Sequence, residues 1–185
     1  MSLNAVETAI QQLDRAHKYA DHCNTVYAKR FKEENKSKGM PGPEPTKKVA
    51  IITCMDARLD VFSMFGLELA ESHVIRVGGG RAPDAIRSLV ASEQVLETEE
   101  IMVVHHTDCG FSHAKTHDEL YNLVKTGLGG KINVECIPFQ PILNGFEQSV
   151  REDLEFLRTS PYVKKNAVIS GWVYDTFNGT IKEVL

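Results

Sequence analysis

Two short apolar runs in the middle of the chain end alike. Val49-Ala50-Ile51-Ile52-Thr53 leads into Cys54-Met55-Asp56-Ala57-Arg58, and Ile101-Met102-Val103-Val104-His105 leads into His106-Thr107-Asp108-Cys109-Gly110. Each run is rich in β-branched residues and too short for a helix, which predicts a buried strand with polar side chains at its carboxyl end. Two such strands, parallel and adjacent, would bring Cys54, His106 and Cys109 to one edge of a sheet. Strand alternation puts His105 on the opposite face from His106, packed or solvated rather than at that edge.

The remaining pattern supplies the frame. Val6, Ile10, Leu13, Ala16, Ala20, Cys23, Tyr27 and Phe31 recur at three-and-four spacing, which predicts an amphipathic helix, capped by Asn4 and bent near Asp21-His22. Lys32 to Lys48, with its glycines and three prolines, reads as a connector. That helix therefore has no local hairpin partner and must bury its stripe on the sheet or on another subunit.

After the first strand, a helical turn is expected over 59–65, closed by Gly66. A strand follows over 73–77, then Gly78-Gly79-Gly80. A helix capped by Asp84 runs to about Glu97, and a shorter one covers 118–125. A short strand is expected over 134–137, carrying Cys136, and a helix from Leu143 to Leu157. A strand over 167–173 turns at Asn178-Gly179 into a last one over 180–184. Strands alternating with helices predict an α/β fold. The sheet is mostly parallel and flanked by helices, with an antiparallel C-terminal edge hairpin and an extended N-terminal helix. The expectation is one domain over 1–185: an arm over 1–35, a connector over 36–48 and the α/β core over 49–185. In such sheets the ligand site lies beyond the carboxyl ends of the strands. Cys54, the glycine run, His106 and Cys109 all fall there.

Composition narrows the class of function. The formal net charge is -4 over 185 residues, which disfavours a nucleic-acid partner. No apolar run reaches membrane-spanning length. The N-terminus lacks a signal-peptide profile, so the expected location is the cytoplasm. In a reducing compartment, four cysteines point to metal ligation, catalysis or plain burial before disulfides. Cys54 and Cys109 sit in polar strand-end motifs. Cys23 reads as a helix core residue.

Two thiolates and an imidazole suit zinc, and three protein ligands leave a fourth position for water or substrate. A structural site would want a fourth ligand, and none is evident nearby. Asp56 and Arg58 follow Cys54 closely. A carboxylate so near could take the fourth position itself, unless Arg58 holds it in a bidentate pair. Asp56 would then accept a hydrogen bond from the water and aim it. A plain loop ion pair is the alternative. His113 and His117, beyond the ligand loop, are candidate proton shuttles, and Phe65 and Val77 are candidate pocket walls. The glycine run lacks the Lys-Ser/Thr of a phosphate loop, which leaves close backbone approach as its use.

Cys54-Met55-Asp56-Ala57-Arg58 together with His106-Thr107-Asp108-Cys109-Gly110 resembles the zinc site of the β-class carbonic anhydrases, closest to the short archaeal-like and bacterial subgroup. The resemblance runs from about Val49 to the C-terminus and includes Gly171-Trp172-Val173-Tyr174-Asp175. It implies zinc on Cys54, His106 and Cys109, an Asp56–Arg58 dyad, and carbon dioxide and bicarbonate as substrates. It also implies a homodimer or higher homo-oligomer in which the N-terminal helix crosses onto its neighbour. Arg76-Val77-Gly78-Gly79-Gly80 departs from the family's Arg-Asn-Ala-Gly-Gly, and His105 stands where glycine is frequent. Some relatives with this site hydrolyse carbon disulfide or carbonyl sulfide. The remaining rivals are a non-enzymatic zinc- or bicarbonate-binding protein and a purely structural zinc or disulfide module.

Overall fold

Strand β1 (Val49–Cys54) lies between β2 (Ser72–Val77) and β3 (Glu100–His106) in a five-stranded sheet that β4 (Val168–Asp175) and β5 (Thr180–Glu183) complete. The order is β2-β1-β3-β4-β5, parallel except for the closing antiparallel β4–β5 pair. The computed structural model describes residues 3–36, 39, 41–134 and 136–185, with 3–7, 9 and 10 described by backbone alone.

Both faces of β1 are covered, as its unbroken apolar run requires. Ala50 and Ile52 pack with Ile101, Val103 and the helices α4 (Ala82–Gln94) and α6 (Phe146–Thr159) through Leu89, Val150, Leu154 and Leu157. Ile51 and Val104 pack on the other face with Val61 and Phe65 of α3 (Val61–Phe65) and with Trp172. Asp60 caps α3 and Gly66 ends it in the left-handed region at φ 60, where the missing Cβ removes the usual penalty.

Two expectations about this core are corrected. Asp84 lies in the first turn of α4 and does not cap it; the helix starts earlier because Asp153 of α6 accepts the Ala82 N–H at 2.8 Å. The strand expected over 134–137 is absent among the described residues. Ile137 N–H closes a turn onto the Val134 carbonyl, and prolines at 138 and 141 remove ladder donors. Cys136 is exposed in that turn, and Glu135 lies outside the described residues. Helix α5 (His117–Gly127) is capped by Thr116, whose hydroxyl accepts from Glu119 N–H.

The chain divides into two compact units, 1–41 and 42–185. The first holds α1 (Leu3–His22), a π-helical turn over Cys23–Tyr27, and α2 (Ala28–Glu34). The helix includes Asn4 in its first turn, so Asn4 is not its cap. The expected bend near residue 21 appears as the π turn, where the Thr25 hydroxyl donates back to the Asp21 carbonyl at 2.7 Å and competes with the helical ladder. Cys23 is exposed rather than core, as are Leu13 and Tyr27.

Candidate metal centre

The parallel register does what the two motifs require. Cys54 ends β1 opposite Val77, and His106 ends β3 opposite Tyr174. The loop after His106 turns back through Asp108, a non-glycine residue at φ 54, and delivers Cys109 beside Cys54. The two sulfurs lie 3.8 Å apart, and one ligand atom from each of Cys54, His106 and Cys109 falls within 4.8 Å of the others. All three residues are buried.

The protonation pattern suits a cation. His106 Nδ1 faces the Thr107 carbonyl at 2.9 Å, and a carbonyl only accepts, so Nδ1 carries the hydrogen. Nε2 then holds a lone pair, is buried, and has no hydrogen-bond partner among the described residues. A buried acceptor without a partner is costly, and a metal ion bound by all three side chains would satisfy it. The thiols share the same logic. The hydrogen bond from Cys109 pulls the Cys54 thiol down, helped by the Asp56 N–H. The same contact, together with burial, pushes Cys109 up. Two adjacent thiols cannot both ionise cheaply without a cation between them.

Asp56 and Arg58 form the expected bidentate pair. Arg58 Nε donates to Asp56 Oδ1 at 3.0 Å, and Nη2 donates to Oδ2 at 2.8 Å. This fork holds the Asp56 carboxyl well below the usual carboxylate range. Its Oδ2 lies 3.8 Å from His106 Nε2, so the carboxylate stands beside the candidate ligands.

Sequence reasoning missed two members of this assembly. Asp108 is the second acceptor of Arg58, through Oδ2 at 2.8 Å and its carbonyl at 2.9 Å. Arg76 ties β2 to the loop by donating to the carbonyls of Cys54, at 3.1 Å, and Asp56. Asp108 was visible as an acid beside a ligand. Arg76 carried no local signal.

The glycine run packs closely, as expected. A Cβ on Gly78 would lie 2.2 Å from the Phe111 ring, and one on Gly80 would lie 3.0 Å from the Cys54 nitrogen. A cavity of about 410 Å³ opens beside Arg58, walled by Phe65, Met64, Tyr174 and Ile181. Phe65 lines this cavity, which reaches Arg58 but none of Cys54, His106 and Cys109, whereas Val77 lines a separate groove between β2 and α4. His105 points away from the centre and is packed against α6, and His113 and His117 are exposed. No described helix is long and apolar enough to cross a membrane.

Residues 49–181 match the carbonic anhydrase family. The chain is 37% identical over 164 residues to "Beta-carbonic anhydrase 1" of Mycobacterium bovis, covering 87% of this chain and 93% of the relative. It is 30% identical to "Carbon disulfide hydrolase" of Saccharolobus solfataricus, covering 75% and 76%. Among solved structures, carbonic anhydrase from Streptococcus mutans superposes with a TM-score of 0.75 at 39% identity, covering 88% of this chain and 96% of that one.

Proposed function

The chain belongs to the β-class carbonic anhydrases, and we propose on that premise that Cys54, His106 and Cys109 hold its zinc, with Asp56 and Arg58 as the catalytic dyad. The reaction is the reversible hydration of carbon dioxide to bicarbonate and a proton. The observation that carries the residue assignment is the buried, unpartnered His106 Nε2 beside two close thiols.

Zinc, when bound, supplies the Lewis acidity that makes a water nucleophilic near neutral pH. The chain's own residues do the rest. Thr107 fixes the His106 tautomer through its carbonyl. Asp56 stays ionised and offers Oδ2 as an acceptor that aims the attacking water. Arg58 restrains Asp56, so that the carboxylate does not occupy the fourth position itself. Asp108 restrains Arg58 in turn.

The working form is a homodimer or higher homo-oligomer. Support comes from the arm, whose Leu13, Val26 and Tyr27 expose apolar surface that a second copy of the chain would bury. The working compartment is the cytoplasm, where two thiols 3.8 Å apart stay reduced for the metal. The runner-up is hydrolysis of carbon disulfide or carbonyl sulfide, favoured by the 30% identical hydrolase. Neither nucleic acid nor membrane is expected as a partner.

The test combines zinc analysis with stopped-flow measurement of carbon dioxide hydration and of carbon disulfide turnover. Wild type should carry about one zinc per chain and hydrate carbon dioxide. Cys54→Ser and His106→Ala should lose metal and activity together. Full zinc in both variants would overturn the ligand assignment, and turnover confined to carbon disulfide would select the runner-up.

A further inference from the structure

Behind the metal edge lies a buried charged cluster that the reaction does not use. Asp153, on α6, is fully buried and accepts from Arg81 Nε at 3.0 Å, Ala82 N–H at 2.8 Å and His105 Nε2 at 3.0 Å. Arg81 is also buried; it places Nη2 3.0 Å from Asp153 Oδ1, donates Nη1 to the Pro141 carbonyl and reaches Glu152 at 3.2 Å. His105 Nδ1 meets the Ser149 hydroxyl at 2.7 Å, one turn before Asp153 on the same helix. Burying charges in this way gives little net stability compared with an apolar filling. What the cluster does supply is fixed geometry.

Its members flank the centre on both sides. Arg81 follows Gly80 directly, and His105 directly precedes His106. Gly80, at φ 70, is squeezed between the His105 ring and the end of β1: a Cβ there would lie 3.3 Å from the His105 ring and 3.0 Å from the Cys54 nitrogen. A continuous packed path therefore runs from Asp153 through His105 and Gly80 to the backbone that carries Cys54. A second path runs from His105 along β3 to His106.

We propose that Asp153 and His105 are positioning residues for zinc: α6, through Asp153, sets the position of the end of β3 and of the glycine turn against β1. In this way it governs how firmly Cys54 and His106 hold the ion. The inference rests on the assignment of zinc to Cys54, His106 and Cys109.

The test is the rate at which zinc-loaded protein surrenders its metal to a chromophoric chelator, with thermal stability measured in parallel. Asp153→Asn and His105→Ala should release zinc about 10- to 100-fold faster than wild type, the range for lost outer partners of metal ligands. His105→Gln, which keeps a nitrogen donor near Asp153, should restore most of the slow release. Leu157→Ala, in the apolar core of the same helix, should lower stability while leaving release close to wild type. Equal acceleration in Leu157→Ala and Asp153→Asn at matched stability loss would overturn the proposal. So would wild-type release from Asp153→Asn.

Should Asp153→Asn fail to fold, Ser149→Ala removes the bond to His105 Nδ1 together with the hydroxyl's local donation to the Phe146 carbonyl, and its release should be several-fold faster; unchanged release from both Ser149→Ala and His105→Ala then refutes the proposal. A wild-type protein that holds no zinc would instead defeat the ligand assignment beneath it.

Discussion

Gly171→Ala is the sharpest probe of how the sheet seats α6. Gly171 pairs with Val103 in the β3–β4 ladder and faces the helix. A Cβ there would lie 2.4 Å from Val150 Cγ1 and 2.8 Å from Leu154 Cδ1. Carbon atoms prefer about 3.5–4.0 Å, so the helix must retreat by roughly 1 Å or Val150 must leave its rotamer. Overpacking of this kind costs about 1–3 kcal/mol. Replacing a strand glycine returns about 0.5–1 kcal/mol through the unfolded chain. The net loss is about 0–2.5 kcal/mol, with a midpoint of about 1 kcal/mol that corresponds to roughly 2–4 °C in Tm for a chain of this length.

The assay is thermal unfolding of zinc-saturated protein at fixed concentration, for Gly171→Ala, Leu154→Ala and the double variant. Leu154→Ala alone should cost about 2–5 kcal/mol. In the double variant the new methyl group enters the space that Leu154 vacates, so the losses should fall short of additivity by about 0.5–3 kcal/mol. A higher Tm for Gly171→Ala, or strict additivity with Leu154→Ala, would refute the packing argument.

Arg58→Ala should keep zinc yet lose hydration by about 100-fold or more, because Asp56 is freed to take the open position; Asp56→Ala should also keep zinc and lose a similar factor through the unaimed water. Near-wild-type rates in Arg58→Ala, measured by stopped flow, would remove the dyad from the mechanism. Deleting residues 1–31 should cause aggregation or dissociation, read by light scattering, and a monomeric active truncation would contradict the role given to the arm. Burial pushes the Glu93 carboxyl up from its ordinary range, and its Oε2 has no partner. A raised folded-state pKa contributes stability that is present at low pH and lost as pH rises through that value. Glu93→Gln should therefore raise Tm more at about pH 8 than at about pH 4, and an equal increment at both would exclude Glu93 from the pH dependence.

The metal edge was legible because its information is local. A β-branched run sets each strand, and the ligands follow within a few residues, so the β1–β3 register brings Cys54 near His106 and the short loop through Asp108 returns Cys109 to them. The bidentate Asp56–Arg58 pair spans two residues and was equally readable. The cluster behind the edge was not. Asp153 meets His105 across 48 residues and Arg81 across 72, and no periodicity marks such a partnership. The same long-range acid explains the misplaced start of α4: Asp84 looked like a cap, but the acceptor arrives from α6. Cys23 fitted the helical stripe, yet the thiol is exposed along with Leu13 and Tyr27 of the same stripe, because burial of that stripe depends on what covers it and not on its spacing. The false strand over 134–137 arose from apolar content between Gly130 and Pro138, where the Ile137 N–H closes a local turn onto the Val134 carbonyl in place of a ladder.

The chain has a single tryptophan, Trp172, half-buried on β4 with its indole N–H on Ser170 Oγ at 2.9 Å. It packs with Ile51, Val61 and Val104, on the face away from α6, while its neighbour Gly171 meets the helix. Ultraviolet emission of the molecule is therefore a one-sided optical gauge. It reports the face on which α3 lies and is shielded by the thickness of the sheet from rearrangements of α6. A disturbance introduced at Asp153 or Leu154 reaches the indole only if the sheet itself deforms, so the colour of the emission separates a shifted helix from a distorted sheet in every variant described above.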